Sequence, residues 1–110
     1  MDSMKINQKL ILVGGGELFQ IDQVNYSDNI DGGADTQKKY SIEISKTGYT
    51  PVAIVGYELL SDSGKRILIN INRIIEQNNQ FYIQTQLQNI GVHNPVIFGI
   101  TYTILWIKNN

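Results

Sequence analysis

Phe81-Tyr82-Ile83-Gln84-Thr85-Gln86-Leu87-Gln88, preceded by Gln77-Asn78-Asn79-Gln80, decides the fold class. Phe81, Ile83, Thr85 and Leu87 alternate with Tyr82, Gln84, Gln86 and Gln88, which gives one core-facing side and one polar side. A period of two marks a half-buried strand, because successive side chains on a pleated backbone point to opposite faces. The four residues before it fit a tight hairpin, since asparagine tolerates the positive φ of a two-residue turn.

Working outward, similar patterns lie on both sides. Upstream, Ile67, Ile69 and Ile71 are expected to face one way, and Leu68, Asn70 and Asn72 the other. Ser61-Asp62-Ser63-Gly64 has turn composition. Val52–Leu60 is apolar on both faces, as expected for a strand covered on each side or lying at an oligomer contact. Gly48 to Pro51 makes a break, and Tyr40, Ile42 and Ile44 alternate with Lys39, Ser41, Glu43 and Ser45. Downstream, Gly91 to Pro95 reads as a loop. Val96–Lys108 then places Phe98, Ile100, Tyr102, Ile104 and Trp106 on one face.

Residues 1–37 are less regular. Leu10–Val13 is strand-like and stops at Gly14-Gly15-Gly16. Leu18–Val24 is a weak alternating run, and Asn25–Asp35 has the composition of a loop. The first seven residues are expected to fray. The Ile, Val, Thr and Tyr content disfavours helices, because these side chains lose χ1 freedom there and pack well on a pleat. The expectation is an all-β fold, an antiparallel β-sandwich or jelly roll. Residues 38–110 would form its core, and residues 1–37 an N-terminal strand and loop segment, in the same domain or as a trimer-contacting arm. The core set expected is Tyr40, Ile42, Ile44, Ile54, Ile67, Ile69, Ile71, Phe81, Ile83, Leu87, Phe98, Ile100, Ile104 and Trp106.

The chain has 110 residues, enough for one domain. Nine basic and ten acidic side chains give a formal charge of −1, so no net basic field draws nucleic acid or anionic membrane. The absence of cysteine excludes disulfides, thiolate metal sites and thiol catalysis. Met1-Asp2-Ser3-Met4-Lys5 starts no apolar signal region, and the apolar runs are too short or too interrupted to span a bilayer. A protein made in the cytoplasm without signal peptide or membrane insertion is expected. Asn and Gln together number 20, and only 17% of residues are charged. Amides pair without the desolvation cost of charges, so such a surface suits contact with copies of itself or with neutral glycans.

No residue pattern carries a catalytic or cofactor signature. The glycine triplet at 14–16 lacks the lysine and helix of a phosphate loop, and reads as a bend. Asp28, Asn29, Asp31 and Asp35 offer oxygens of the kind calcium takes, but Lys38 stands where an EF-hand would place its closing glutamate; a solvated loop is expected. His93 is the only histidine and stands in a turn. Glu43, Glu58 and Glu76 have no spacing that marks a glycosidase pair. The expectation is therefore a non-enzyme with no cofactor and no metal. Exposed tyrosines can stack on sugar rings, and Tyr26, Tyr49 and Tyr82 lie out of phase with the core positions, which makes them the candidate ligand-binding residues.

One segment, Lys46-Thr47-Gly48-Tyr49-Thr50-Pro51-Val52-Ala53-Ile54-Val55-Gly56-Tyr57, resembles a KTGYTPVAIVGY-like segment of bacteriophage and prophage virion proteins. These are tail-fibre, baseplate and related structural proteins of low-GC Gram-positive hosts. The similarity covers about residues 38–108, where the segment opens a distal β-sandwich. The resemblance implies a virion location, a homotrimer, contacts with other virion proteins, and a structural or host-surface receptor-binding role, for which host-surface glycan is one candidate ligand. A free-standing carbohydrate-binding module is the other reading of the same residues.

Overall fold

The computed structural model describes residues 18–33, 35–61, 67–91 and 95–110. They form six strands and no helix: β1 (Phe19–Ile30), β2 (Thr36–Ile44), β3 (Tyr49–Ser61), β4 (Ile67–Gln77), β5 (Gln80–Asn89) and β6 (Val96–Lys108). Among the described residues no helix is long and apolar enough to cross a membrane. The strands make two antiparallel three-stranded sheets, one in the order β1-β6-β3 and the other β2-β5-β4. The expected all-β sandwich is the fold. The eight strands of a jelly roll are not assembled among the described residues. Only β4 and β5 are joined by a hairpin within one sheet; every other connection crosses between the sheets.

The hairpin is the one expected at Gln77–Gln80. Asn78 and Asn79 adopt φ of 55° and 64°, and Gln77 pairs with Gln80 across them. Positive φ at both central residues gives a turn whose twist matches that of the flanking strands. From this turn β5 runs through the centre of its sheet with Ile83, Thr85, Leu87 and Asn89 buried. Strand β6 is its counterpart and buries Val96, Phe98, Ile100, Tyr102, Ile104 and Trp106. The core lies between these two central strands. Ile30 and Ile44 complete it, with Tyr40, Ile42, Ile54, Ile67, Ile69 and Phe81 packed against them.

Three sequence expectations are corrected. Asn25–Ile30 is strand rather than loop. β1 pairs with β6 without interruption from Phe19↔Ile107 to Ile30↔Val96, and Val24, Tyr26 and Ile30 alternate towards the interior. The polar Asn25, Ser27 and Asn29 that suggest a loop are the solvent face of that strand. Residues 19–30 and 36–37 are thus strand residues of the two sheets, and residue 38 lies inside β2. The face assignment of β4 fails at Asn70, where a bulge between Ile69 and Ile71 shifts the register. An extra residue reverses the alternation beyond it. Asn72 therefore opposes Thr85 on the inner face, while Ile71 opposes Gln86 on the outer one.

The third correction concerns Val52–Leu60. Within this chain β3 is an edge strand, not one covered on both sides. It bulges twice, between Pro51 and Ala53 and between Ile54 and Gly56. Pro51, Ile54 and Tyr57 consequently oppose Trp106, Ile104 and Tyr102, a spacing of three instead of two. Val52 and Val55 are the extra residues and stay 52% and 39% exposed. Bulges twist an edge away from regular pairing, and Pro51 removes a donor from it.

Leu10–Val13, the glycine triplet at 14–16, the turn at 62–64 and His93 lie outside the described residues.

Candidate functional site

One end of the sandwich holds a recess of about 300 Å³. It lies where β2 ends, β3 and β5 begin and β6 ends. Glu43, Ile44, Ser45, Lys46, Thr47, Tyr49, Pro51, Asn79, Gln80, Phe81 and Trp106 line it. The loop that forms one wall is fixed locally. Gly48 takes φ of 83°, and the Tyr49 amide donates to the Lys46 carbonyl at 3.0 Å. A turn with positive φ at its third residue selects glycine there. The Asn109 amide donates to the Gly48 carbonyl at 2.9 Å and ties the loop to the end of β6.

The inner wall is held by one carboxylate. Asp22 faces inward from β1 and accepts from Trp106 Nε1 at 2.6 Å and from Lys46 Nζ at 2.9 Å. Gln20, also inward, donates to the Tyr49 hydroxyl at 2.9 Å. Lys46 Nζ sits 5.7 Å from the centre of the Tyr49 ring, within cation–π range. Trp106 is buried, so its ring forms a floor, with its only donor already satisfied. By contrast, the side chains of Glu43, Ser45, Thr47 and Asn79 make no hydrogen bond or ion pair among the described residues. Gln80 accepts from the Tyr82 hydroxyl at 2.8 Å through Oε1, which leaves its amide donors available.

The three candidate tyrosines separate. Tyr49 lines the recess. Tyr82 lies on the outer face of its sheet, opposite Glu43 and bonded to Gln80, two residues of the recess wall. Tyr26 is elsewhere and turned inward. Its ring stacks on Tyr40 with centroids 4.3 Å apart, and its hydroxyl donates to Asp28 Oδ2 at 2.6 Å. Burial and that hydrogen bond push the Tyr26 pKa up to about 12. The Tyr26 hydroxyl, the Asn29 amide and Lys38 at 3.0 Å hold Asp28 down at about 2. Tyr26 is engaged in packing on the inward face of β1, so it is not a surface residue as expected.

Beyond Tyr82 the outer face of the β2-β5-β4 sheet is a field of amides. Gln86 Nε2 donates to Gln37 at 2.7 Å, Gln88 Nε2 to Asp35 at 3.1 Å, Asn70 Nδ2 to Gln88 at 3.2 Å and Arg73 Nε to Gln84 at 2.7 Å.

The acidic loop is occupied in other ways. Asp28 is on β1, Asp35 accepts from Gln88, and the Asp31 carbonyl accepts from Asn89 at 3.2 Å. Among the described residues no group of three or more His, Asp or Glu side chains is placed to hold a metal ion. Glu58 opposes Thr101 on the outer face of the β1-β6-β3 sheet, away from Glu43 on the outside of the other sheet. Sequence reasoning missed Asp22 and Gln20, because polar residues beside Phe19 and Ile21 read as a solvent face. In the pairing register they oppose Ile104 and Trp106.

The far end of the sandwich has the opposite character. Leu60 at the end of β3 and Ile97 at the start of β6 are 64% and 63% exposed, and Leu68 and Ile90 are exposed at the same end. Leu60 and Ile97 border a shallow depression with Ser27, Phe98 and Gly99.

No protein-family model, curated protein or solved structure matches the chain.

Proposed function

We propose that this protein is a non-enzymatic structural module of a bacteriophage or prophage tail fibre or baseplate, working in the virion as a homotrimer beside other virion proteins. The observation that carries the reading is the placement of the apolar residues of the Lys46–Tyr57 segment and its continuation. The core is complete without Val52, Val55 and Leu60, yet they stand exposed along the edge strand, with Ile97 beside Leu60 at its far end. Exposed apolar groups of this kind gain from burial at about 25 cal/mol per Å² of surface covered. Packing against identical copies supplies that burial. The low charge density of the chain, 17% of residues, limits the repulsion that would oppose it. Light scattering tests this: the reading requires a trimer that Leu60→Glu combined with Ile97→Glu dissociates. A wild-type protein that stays monomeric at all concentrations contradicts it.

Binding of host-surface glycan, in the virion or as a free-standing carbohydrate-binding module, is a second reading. It is favoured by one observation: Tyr49 and Tyr82 stand at the same end of the sandwich, around unengaged polar groups. A glycan array with Tyr49→Ala and Tyr82→Ala variants tests it, and binding that neither change affects excludes these residues as the platform.

A further inference from the structure

We propose that the recess and the adjacent Tyr82 form one continuous site for a neutral glycan. The terminal sugar ring sits in the recess and the next ring lies over Gln80 and Tyr82. This inference rests on the glycan reading and names its site and its ligand class.

Four features point to this ligand. The recess, at about 300 Å³, is at the small end of sites that enclose ligands, which suits a ring-sized group and not an extended one. Its lining combines donors and acceptors that have no other partner: the Glu43 carboxylate, the Ser45 and Thr47 hydroxyls, the Asn79 amide and the Gln80 amide donors. A polyhydroxylated ring donates and accepts at each hydroxyl, so it can use both kinds, whereas an apolar ligand would strand them. The charge balance selects neutral ligands. Lys46 is already paired with Asp22, which leaves Glu43 as the uncompensated charge in the lining and disfavours phosphates and carboxylates. The site is also built before binding: Asp22 fixes both Trp106 and Lys46, and Gln20 fixes Tyr49, so little ordering cost falls on the ligand.

The second subsite follows from the hairpin. Gln80 is shared: it lines the recess and accepts from Tyr82 on the outer face. A glycan leaving the recess past Gln80 meets the Tyr82 ring next, and then Gln84 on the same face of β5.

Amide-shift mapping by NMR on the whole chain tests this. The probes are glucose, galactose and N-acetylglucosamine, each as monosaccharide and linear trisaccharide, with inorganic phosphate as the control anion. The proposal expects at least one sugar to shift amides within residues 45–49 and 79–82, with its trisaccharide binding more tightly than its monosaccharide. Phosphate should shift none of them. Gln80→Ala, on an exposed hairpin where folding is not at risk, should weaken both forms about tenfold. Tyr82→Ala should bring the trisaccharide down to the monosaccharide's affinity. If no probe shifts any amide, the glycan reading falls and the site with it. If a sugar binds with shifts confined to residues 84–88 and indifferent to Gln80→Ala, the glycan reading stands and the recess assignment is overturned. Shifts in the recess with phosphate overturn the neutral ligand class.

Discussion

Trp106 Nε1 donates to Asp22 Oδ1 at 2.6 Å, so the largest buried side chain of β6 is oriented by a carboxylate on the neighbouring strand. The second oxygen of Asp22 holds Lys46 at the turn that opens β3. One acid thus joins the core, the turn and the wall of the recess.

Asp22→Ala removes both bonds and leaves a buried indole N–H unpaired. A stability loss of about 1–3 kcal/mol is expected in denaturant unfolding. Trp106 is the only tryptophan, so its emission reports the local change directly. Asp22→Asn keeps an acceptor for the indole and loses the ion pair, and should fall between wild type and alanine.

A second prediction concerns a chain of hydroxyls through the core. Thr85 Oγ1 donates to Asn72 Oδ1 at 3.2 Å, and its single proton is thereby used. At 2.6 Å, Tyr102 must then donate to Thr85, and Tyr40, also at 2.6 Å, must donate to Tyr102. The order Tyr40, Tyr102, Thr85, Asn72 crosses from one sheet to the other and back. Tyr102→Phe removes the central link and strands its two neighbours, whereas Tyr40→Phe removes only a terminal donor. Tyr102→Phe should cost about 1–3 kcal/mol and Tyr40→Phe about 1 kcal/mol in unfolding free energy. A double-mutant cycle between Tyr102→Phe and Thr85→Val should give a non-zero coupling, because the two share one bond.

The third prediction is a stability profile with two flanks. Asp28 sits at about 2 in the folded chain, below its ordinary value of 3.8. Its lowered pKa contributes stability above the unfolded value, and this is lost as the pH falls from about 4 to about 2. Tyr26 is raised from 10.0 to about 12, so its contribution is present below pH 10 and is lost as the pH rises towards 12. Tyr40 and Tyr102 are also raised, in each case first by burial. Phenolate absorbance during alkaline titration should therefore show a late fraction that appears with unfolding. In Tyr26→Phe the acid flank should move up, because Asp28 loses the hydrogen bond that contributes most to lowering its pKa.

The alternating strands were plain in the sequence. Phe81–Gln88 and Val96–Lys108 face as their period of two requires, and Asn78-Asn79 turn as asparagines can. The sequence misleads wherever a single residue changes phase. The bulge at Asn70 turns Asn72 inward and Ile71 outward, and those at Val52 and Val55 put two valines outside the alternation of a strand that is an edge of its sheet. Bulges have no strong local signature, because they are set by the partner strand. Strand β1 was hidden for another reason: its solvent face is Asn25, Ser27 and Asn29, the composition of a turn. Of the candidate site, Tyr82 is legible as a tyrosine outside the core phase, whereas Tyr49, expected on the surface, packs partly buried against the core and lines the recess. Asp22 and Gln20, which orient the recess, depend on the register of β1 against β6 and have no local signal.

Self-association is the central claim, and multi-angle light scattering of the whole chain over a range of concentrations tests it most directly. The account predicts a mass three times the 12.4 kDa of one chain, falling to one chain in the Leu60→Glu, Ile97→Glu double variant while that variant keeps its β-rich circular dichroism. A wild-type mass of 12.4 kDa throughout, or a trimer unaffected by the double substitution, contradicts it.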